Sequence, residues 1–74
     1  MKTEEYEMHL RAGETYGEAS TCGKKVRYSE GSAMTAAVKL TERYDRELEA
    51  YPCCWCSEWH IGRQMTDEER KRFL

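Results

Sequence analysis

The sequence has no apolar segment near the roughly 20 residues that a membrane-spanning helix requires, and few residues from which to build a core. Of its 74 residues, 39% are hydrophobic and 35% are charged, and only one is phenylalanine. So short a domain buries little apolar surface, while ordering each residue costs roughly 1.5 kcal/mol. The shortage of core residues predicts a staple, either a metal ion or a disulfide bond.

The sequence also lacks a secretory signal and a strong excess of charge. The first twenty residues contain no apolar segment typical of a signal peptide, so we expect the chain to stay in the reducing cytosol. Disulfide bonds are rare there, and clustered cysteines favour metal binding. The net charge is −2, which predicts no strong general attraction to nucleic acid.

Three of the four cysteines and one of the two histidines lie in the segment YPCCWCSEWHIGR, residues 51–63. Cys53 and Cys56 have the C-x2-C spacing, in which two thiolates from one tight turn bind the same ion. His60 follows closely and can supply an imidazole nitrogen, and Cys22 is the only distant cysteine. Thiolates with an imidazole favour Zn²⁺. The sequence therefore predicts one zinc ion bound by Cys22, Cys53, Cys56 and His60.

Other interpretations of these residues stay open at this point. A disulfide framework would need a bridge to Cys22, because bridges inside the cluster would constrain very little of the chain. A redox-active C-x2-C pair would need a larger βαβ fold around it. His9 is an alternative fourth ligand, and Cys54 is a spare thiol that packs near the metal or lies at the surface.

The apolar pattern predicts a small α+β domain. Apolar residues recur every three or four positions through residues 30–50, which predicts the main helix. Its N-cap is expected at Ser29, with Ser32 as the alternative, and its charged residues, Glu49 included, are expected on a solvated face. Short strands are expected at residues 24–28 and 59–63.

The two ends of the chain carry weaker signals. Residues 1–12 alternate between apolar and polar, and this pattern fits a half-buried strand and a frayed or helical terminus alike. Residues 13–21 are expected to form a loop. Thr66 and Glu69 form a capping-box pattern, which predicts a short C-terminal helix that docks through Phe73 or Leu74.

We therefore expect two or three short strands packed on one main helix, followed by the short C-terminal helix. Residues 1–21 would be an N-terminal extension, an edge strand that is partly flexible. Residues 22–63 would form the zinc-stapled core, and residues 64–74 the C-terminal helix.

The stretches CGKKVRYSEGSAMTAA and YPCCWCSEWHIGR resemble a group of small, mostly uncharacterised zinc-finger proteins of actinobacteria and their bacteriophages. The shared features are a cysteine before a basic strand that ends in tyrosine, an alanine-rich helix, and the motif Y-x-C-x-x-C-x-x-W-H. The resemblance covers residues 22–63 and implies the same four metal ligands, but no known activity. Such relatives are often strongly basic, whereas this chain is slightly acidic.

No catalytic pattern is complete in the sequence. The letters PCCWC fit one half of the zinc-deaminase signature, but the H-x-E or C-x-E half is absent. There is no P-loop, dinucleotide fingerprint or Ser-His-Asp arrangement. We therefore expect a structural zinc ion and no enzymatic activity.

Two kinds of macromolecular partner fit the sequence. A protein-interaction module, encoded by a bacterium or a phage, would use Trp55, which lies inside the C-x2-C turn and is expected to be exposed. The alternative is weak nucleic-acid binding through a basic strand. Its residues would be Lys24, Lys25, Arg27 and Arg63. We expect no membrane partner and no small-molecule substrate.

Overall fold

The structure, a computed structural model, describes residues 1–74 and contains four helices and a two-stranded sheet. The elements in chain order are α1 (Thr3–Tyr16), α2 (Glu18–Thr21), α3 (Glu30–Tyr44), β1 (Leu48–Pro52), β2 (Trp59–Arg63) and α4 (Asp67–Phe73). The predicted α+β class is confirmed. None of the helices has both the length and the apolar composition needed to cross a bilayer.

β1 and β2 form an antiparallel hairpin, and the C-x2-C motif lies in its connecting loop. Tyr51 pairs with His60, and Pro52 pairs with Trp59. Beyond the last pair, the backbone N–H of Cys53 donates to the carbonyl of Glu58 over 2.9 Å and closes the loop. The predicted strand at residues 59–63 is confirmed as β2.

α3 begins as predicted but ends earlier. The Ser29 side chain accepts a hydrogen bond from the backbone N–H of Ser32, which confirms the predicted N-cap. The predicted end at residue 50 is wrong, because the helix stops at Tyr44 and Asp45 takes a left-handed conformation with φ of 51°. Residues 48–52 instead pair with β2, so their backbone hydrogen bonds go to a strand.

The first residues of the chain form α1, so the helical alternative for residues 1–12 is confirmed and the predicted edge strand is wrong. Met8 and Ala12 are four residues apart and lie on one buried helix face, whereas the alternation suggested a period of two. Glu4 and Glu5 in the first turn also favour a helix through its macrodipole. The loop expected at residues 13–21 is also wrong, since α1 continues to Tyr16 and α2 follows.

The predicted strand at residues 24–28 is reduced to a single bridge. Tyr28 and Trp59 exchange two backbone hydrogen bonds of 2.8 Å, but residues 24–27 pair with no strand. Val26 is 65% exposed. This segment therefore runs along the end of β2 without extending the sheet.

Two separate groups of buried side chains hold the elements together. The sheet cluster packs α3 on the hairpin. It consists of Ala33, Ala37, Ala50 and Trp59. The helix cluster joins α1 to α4 and consists of Met8, Ala12 and Phe73. The predicted capping box of Thr66 and Glu69 and the predicted docking of Phe73 are both confirmed.

Candidate metal centre

The predicted ligand residues come together at one point in the fold. One sulfur or nitrogen atom from each of the four lies within 4.8 Å of the others. Cys22 follows α2, Cys53 and Cys56 belong to the hairpin loop, and His60 lies in β2. Cys22, Cys53, Cys56 and His60 could therefore hold one metal ion.

The hairpin loop turns tightly so that Cys53 and Cys56 face the same point. The backbone N–H of Trp55 donates to Cys53 Sγ over 3.3 Å, and Ser57 completes the turn with a positive φ of 65°. Burial opposes ionisation of Cys56, but a backbone hydrogen bond at Glu58 and hydrogen bonds with the other two thiols outweigh it and lower its pKa. The loop thus favours the thiolate form that metal binding needs.

His60 is held with one ring nitrogen towards the sulfurs. Its side chain is fully buried, and Nε2 lies 3.4 Å from Cys56 Sγ. Nδ1 lies 2.7 Å from the carbonyl oxygen of Val26, to which only a protonated nitrogen can donate. The carbonyl therefore fixes the tautomer and leaves the lone pair of Nε2 for the metal. No side-chain pattern in the sequence indicated this role for Val26.

Cys22 reaches the centre because the chain reverses immediately after it. Gly23 has a φ of 46°, and a Cβ atom there would lie 2.7 Å from the carbonyl oxygen of Ala19. A residue without a side chain is needed at such an approach. Burial, followed by hydrogen bonds with the other two thiols, raises the pKa of Cys22 to about 11. Metal binding must therefore displace a proton from this sulfur.

The two alternative ligands lie elsewhere, and the four cysteines form no disulfide bond. Cys54 points away from the centre towards α1, where its Sγ would lie 3.1 Å from a Cβ on Gly13. The His9 ring stacks on Tyr51 with 5.9 Å between centroids, and its Nε2 lies 3.6 Å from Glu49.

Three aromatic rings surround the hairpin loop in different ways. Trp59 is only 8% exposed and belongs to the sheet cluster, whereas Trp55 is 44% exposed, as predicted. Tyr51 lies 5.9 Å from the His60 ring, and its hydroxyl donates to the carbonyl of Thr21 over 2.6 Å. Burial and then the nearby cysteines raise the pKa of Tyr51 to about 12, so this hydroxyl stays protonated.

The predicted basic residues do not form one free positive surface. Lys24, Lys25 and Arg27 are exposed. Arg63, however, forms a bidentate ion pair with Glu69, with N–O distances of 2.7 and 3.0 Å. Hydrogen bonds from Arg63, from the backbone of Thr66 and from the Tyr16 hydroxyl lower the pKa of Glu69. The positive charge of Arg63 is thus already paired.

Sequence reasoning missed a second polar group, on the α1 side of the hairpin. Glu49 accepts hydrogen bonds from Arg70 over 3.1 Å and from the backbone N–H of Met65 over 2.8 Å. Its side chain is 17% exposed, so the predicted solvated position is wrong. Burial opposes ionisation, but contacts with His9, Met65 and Arg70 lower the pKa of Glu49. The strand position of Glu49, rather than a helical one, explains this burial.

Comparison with protein-family models, curated proteins and solved structures found no match for this chain. The resemblance to the zinc-finger proteins of actinobacteria and phages, and the phage origin that it implies, stay predictions.

Proposed function

We propose that this chain is a non-catalytic mini-protein that binds one structural Zn²⁺ and works as a protein-interaction module. The proposal depends on one observation above all, the 4.8 Å within which the four donor atoms lie. Three thiolates and an imidazole are a donor set that selects zinc, and four protein ligands fill a tetrahedral site. A catalytic zinc would need a position open to water or substrate.

Titration of the reduced, metal-free chain with Co²⁺ tests the metal centre. Cobalt is a spectroscopic substitute for zinc, and we expect one equivalent to give tetrahedral absorption with thiolate charge-transfer bands. Zinc should then displace it, since Zn²⁺ lies above Co²⁺ in the usual order of affinities. Native mass spectrometry should give one zinc per chain. An octahedral spectrum or a chain that retains no metal would refute the proposed centre.

The role in protein interaction is supported by the Trp55 side chain, which is exposed but anchored by a hydrogen bond. Its indole N–H donates to the carbonyl of Gly13 over 3.0 Å, so one edge of the ring is fixed on α1 while 44% of the residue stays exposed. A fixed aromatic side chain loses little conformational freedom on binding, and tryptophan is enriched at protein-binding hot spots.

Capture experiments with the zinc-loaded protein test this role. Wild type should retain a defined protein from a bacterial lysate, and Trp55→Ala should lose it. Tyr44→Ala removes another exposed aromatic residue, on α3, and should retain the partner. If Trp55→Ala and Tyr44→Ala retained the partner equally, Trp55 would not be the residue that binds it. Cobalt absorption of each variant checks that the fold is intact.

A nucleic-acid partner has less support than a protein partner. Arg63 is paired with Glu69, so its charge is not free to bind a phosphate. Only Lys24, Lys25 and Arg27 of the predicted basic group keep unpaired charges, and three phosphate contacts give weak, salt-sensitive binding. A gel shift of DNA or RNA that persists at physiological salt would reverse this preference.

A further inference from the structure

A cavity of about 410 Å³ lies between α1, the hairpin and α4, and none of the four metal ligands lines it. This volume falls within the range of small-molecule sites. Apolar walls come from Ala12 and Met65, and polar groups come from His9, Lys25 and Glu49. The cavity therefore combines apolar surface with a few polar groups, as ligand sites do.

One of these polar groups is buried without a hydrogen-bond partner. His9 is 4% exposed, and its Nε2 has no partner within hydrogen-bonding distance. An oxygen of Glu49 is 3.6 Å away, within reach of an ion-pair contact but too far for a hydrogen bond. Stacking on Tyr51 holds the ring in place. Buried polar atoms are normally hydrogen-bonded, so Nε2 indicates a partner that a ligand could supply.

The acidic groups of the cavity are already neutralised. Glu69 pairs with Arg63, and Glu49 pairs with Arg70. Both oxygens of each carboxylate accept at least one hydrogen bond within the protein. Neither carboxylate is therefore free to bind a cationic ligand.

Lys25 is the one charged residue lining the cavity that forms no ion pair. Its ammonium group donates to the hydroxyl of Tyr51 over 3.1 Å, which leaves two of its three N–H groups unused. The ammonium group lies close to Gly62, where a Cβ atom would be 3.6 Å from Lys25 Nζ. The unpaired charge of the cavity is therefore positive.

We propose that this cavity binds a small organic carboxylate. Lys25 pairs with the carboxylate, Nε2 of His9 bonds to a second polar atom of the ligand, and a short apolar body packs on Ala12 and Met65. Two sources share this chemistry, a free small acid and the C-terminal residue of a polypeptide. A polypeptide C-terminus as the ligand rests on the proposed protein-interaction function. In that case the C-terminus is the part of the partner protein that the cavity recognises.

Amide NMR spectra of the zinc-loaded protein, titrated with matched probes, test the site. The probes are butyrate, butyramide, acetyl-glycyl-leucine and its C-terminal amide. Both acids should shift the amide signals of Ala12, Gly13 and Gly62 in a saturable way, and their uncharged counterparts should not. Lys25→Gln should weaken binding about tenfold, the factor expected for one charged hydrogen bond. Lys24→Gln, at an exposed lysine outside the cavity, should change it less than about twofold.

The relative affinities of the four probes test the site and distinguish the two sources of the carboxylate. Tighter binding of the acetyl dipeptide supports a polypeptide C-terminus, and tighter binding of butyrate supports a free acid. Equal shifts with butyramide, equal weakening by the two lysine variants, or no saturable shift with either acid would overturn the proposal. A chain that fails to bind cobalt in the separate metal titration would instead refute the metal centre, and this outcome is distinct from failure of the carboxylate site.

Discussion

The sheet cluster and the helix cluster stabilise two sides of the hairpin by different means. Three of the four buried residues of the sheet cluster are alanines, so α3 comes close to the hairpin but buries little apolar area. The predicted staple, the metal centre, lies at the end of this hairpin. The helix cluster has larger side chains and no metal ligand, and hydrogen bonds between α1 and α4 support it.

These hydrogen bonds substitute for apolar area on the helix side. Arg11 Nε donates to the carbonyl of Phe73 over 2.7 Å, and the Tyr16 hydroxyl donates to Glu69 over 2.7 Å. β1 serves both sides, since Ala50 belongs to the sheet cluster while its neighbours Glu49 and Tyr51 contact His9. The side chains of β1 thus connect the sheet cluster to the α1 side of the hairpin.

The largest effect should come from breaking the metal centre. We expect Cys56→Ser, or removal of the ion by a chelator, to abolish the folded state, because structural zinc contributes on the order of 10 kcal/mol, as much as a whole domain's stability. Loss of the cooperative thermal transition in circular dichroism would show this.

Cys54→Ser is the matched control for that experiment. Cys54 stands beside the ligands in sequence but outside the group of donor atoms, so this variant should bind one cobalt ion with an unchanged spectrum. A folded, metal-free Cys56→Ser protein would show that the two clusters suffice without an ion.

The second effect should come from the helix cluster. Met8 is fully buried, and Met8→Ala should destabilise the protein by about 2–4 kcal/mol through lost burial and a cavity. Met34, 37% exposed on α3, is the matched control, and Met34→Ala should change stability by less than about 1 kcal/mol. Denaturation in excess zinc measures both. Equal losses in the two variants would mean that the α1–α4 contact contributes little.

The grouping of the candidate metal ligands was predictable because its signal is mostly local and chemical. Cys53, Cys56 and His60 are close in sequence, and few functions other than metal binding use that combination. The hydrogen bonds that orient these side chains were harder to predict from the sequence. The hydrogen bond from His60 to the Val26 carbonyl involves backbone, which carries no residue-specific signal.

The element boundaries were less predictable because tertiary contacts decide them. Leu48 and Tyr51 continue the apolar spacing of α3, so the sequence favours a longer helix, but pairing with β2 and the left-handed Asp45 end it. At the N-terminus, Met8 and Ala12 satisfy both a period of two and a helical spacing of four. Their packing on α4, together with the acidic residues of the first turn, selects the helix.

A third effect concerns pH and the polar contacts of α4. Because the folded-state pKa of Glu69 is lowered, its ion pair stabilises the protein above the unfolded pKa of about 4.3 and is lost only below it. Glu69→Gln should therefore cost roughly 1 kcal/mol at every pH between about 8 and about 5. Thermal unfolding of both proteins across this range measures the difference.

Within that range, both proteins should lose stability together as acid competes with the ion for its thiolate ligands. A pH dependence that is the same in both proteins excludes Glu69 as its source. If the stability difference between wild type and Glu69→Gln became smaller between about pH 8 and about pH 6, part of the pH dependence would be due to Glu69.

The smallest effect compares two helical glycines, one on each side of the molecule. A Cβ on Gly31 of α3 would contact nothing within 4 Å, so Gly31→Ala should stabilise by roughly 0.5–1 kcal/mol through helix propensity. A Cβ on Gly13 of α1 would lie 3.1 Å from both Cys54 Sγ and Thr21 Cγ2. Overpacking should cancel the gain there. Equal stabilisation in thermal unfolding would show that α1 and the hairpin loop can separate slightly, and that their close packing is not required for the fold.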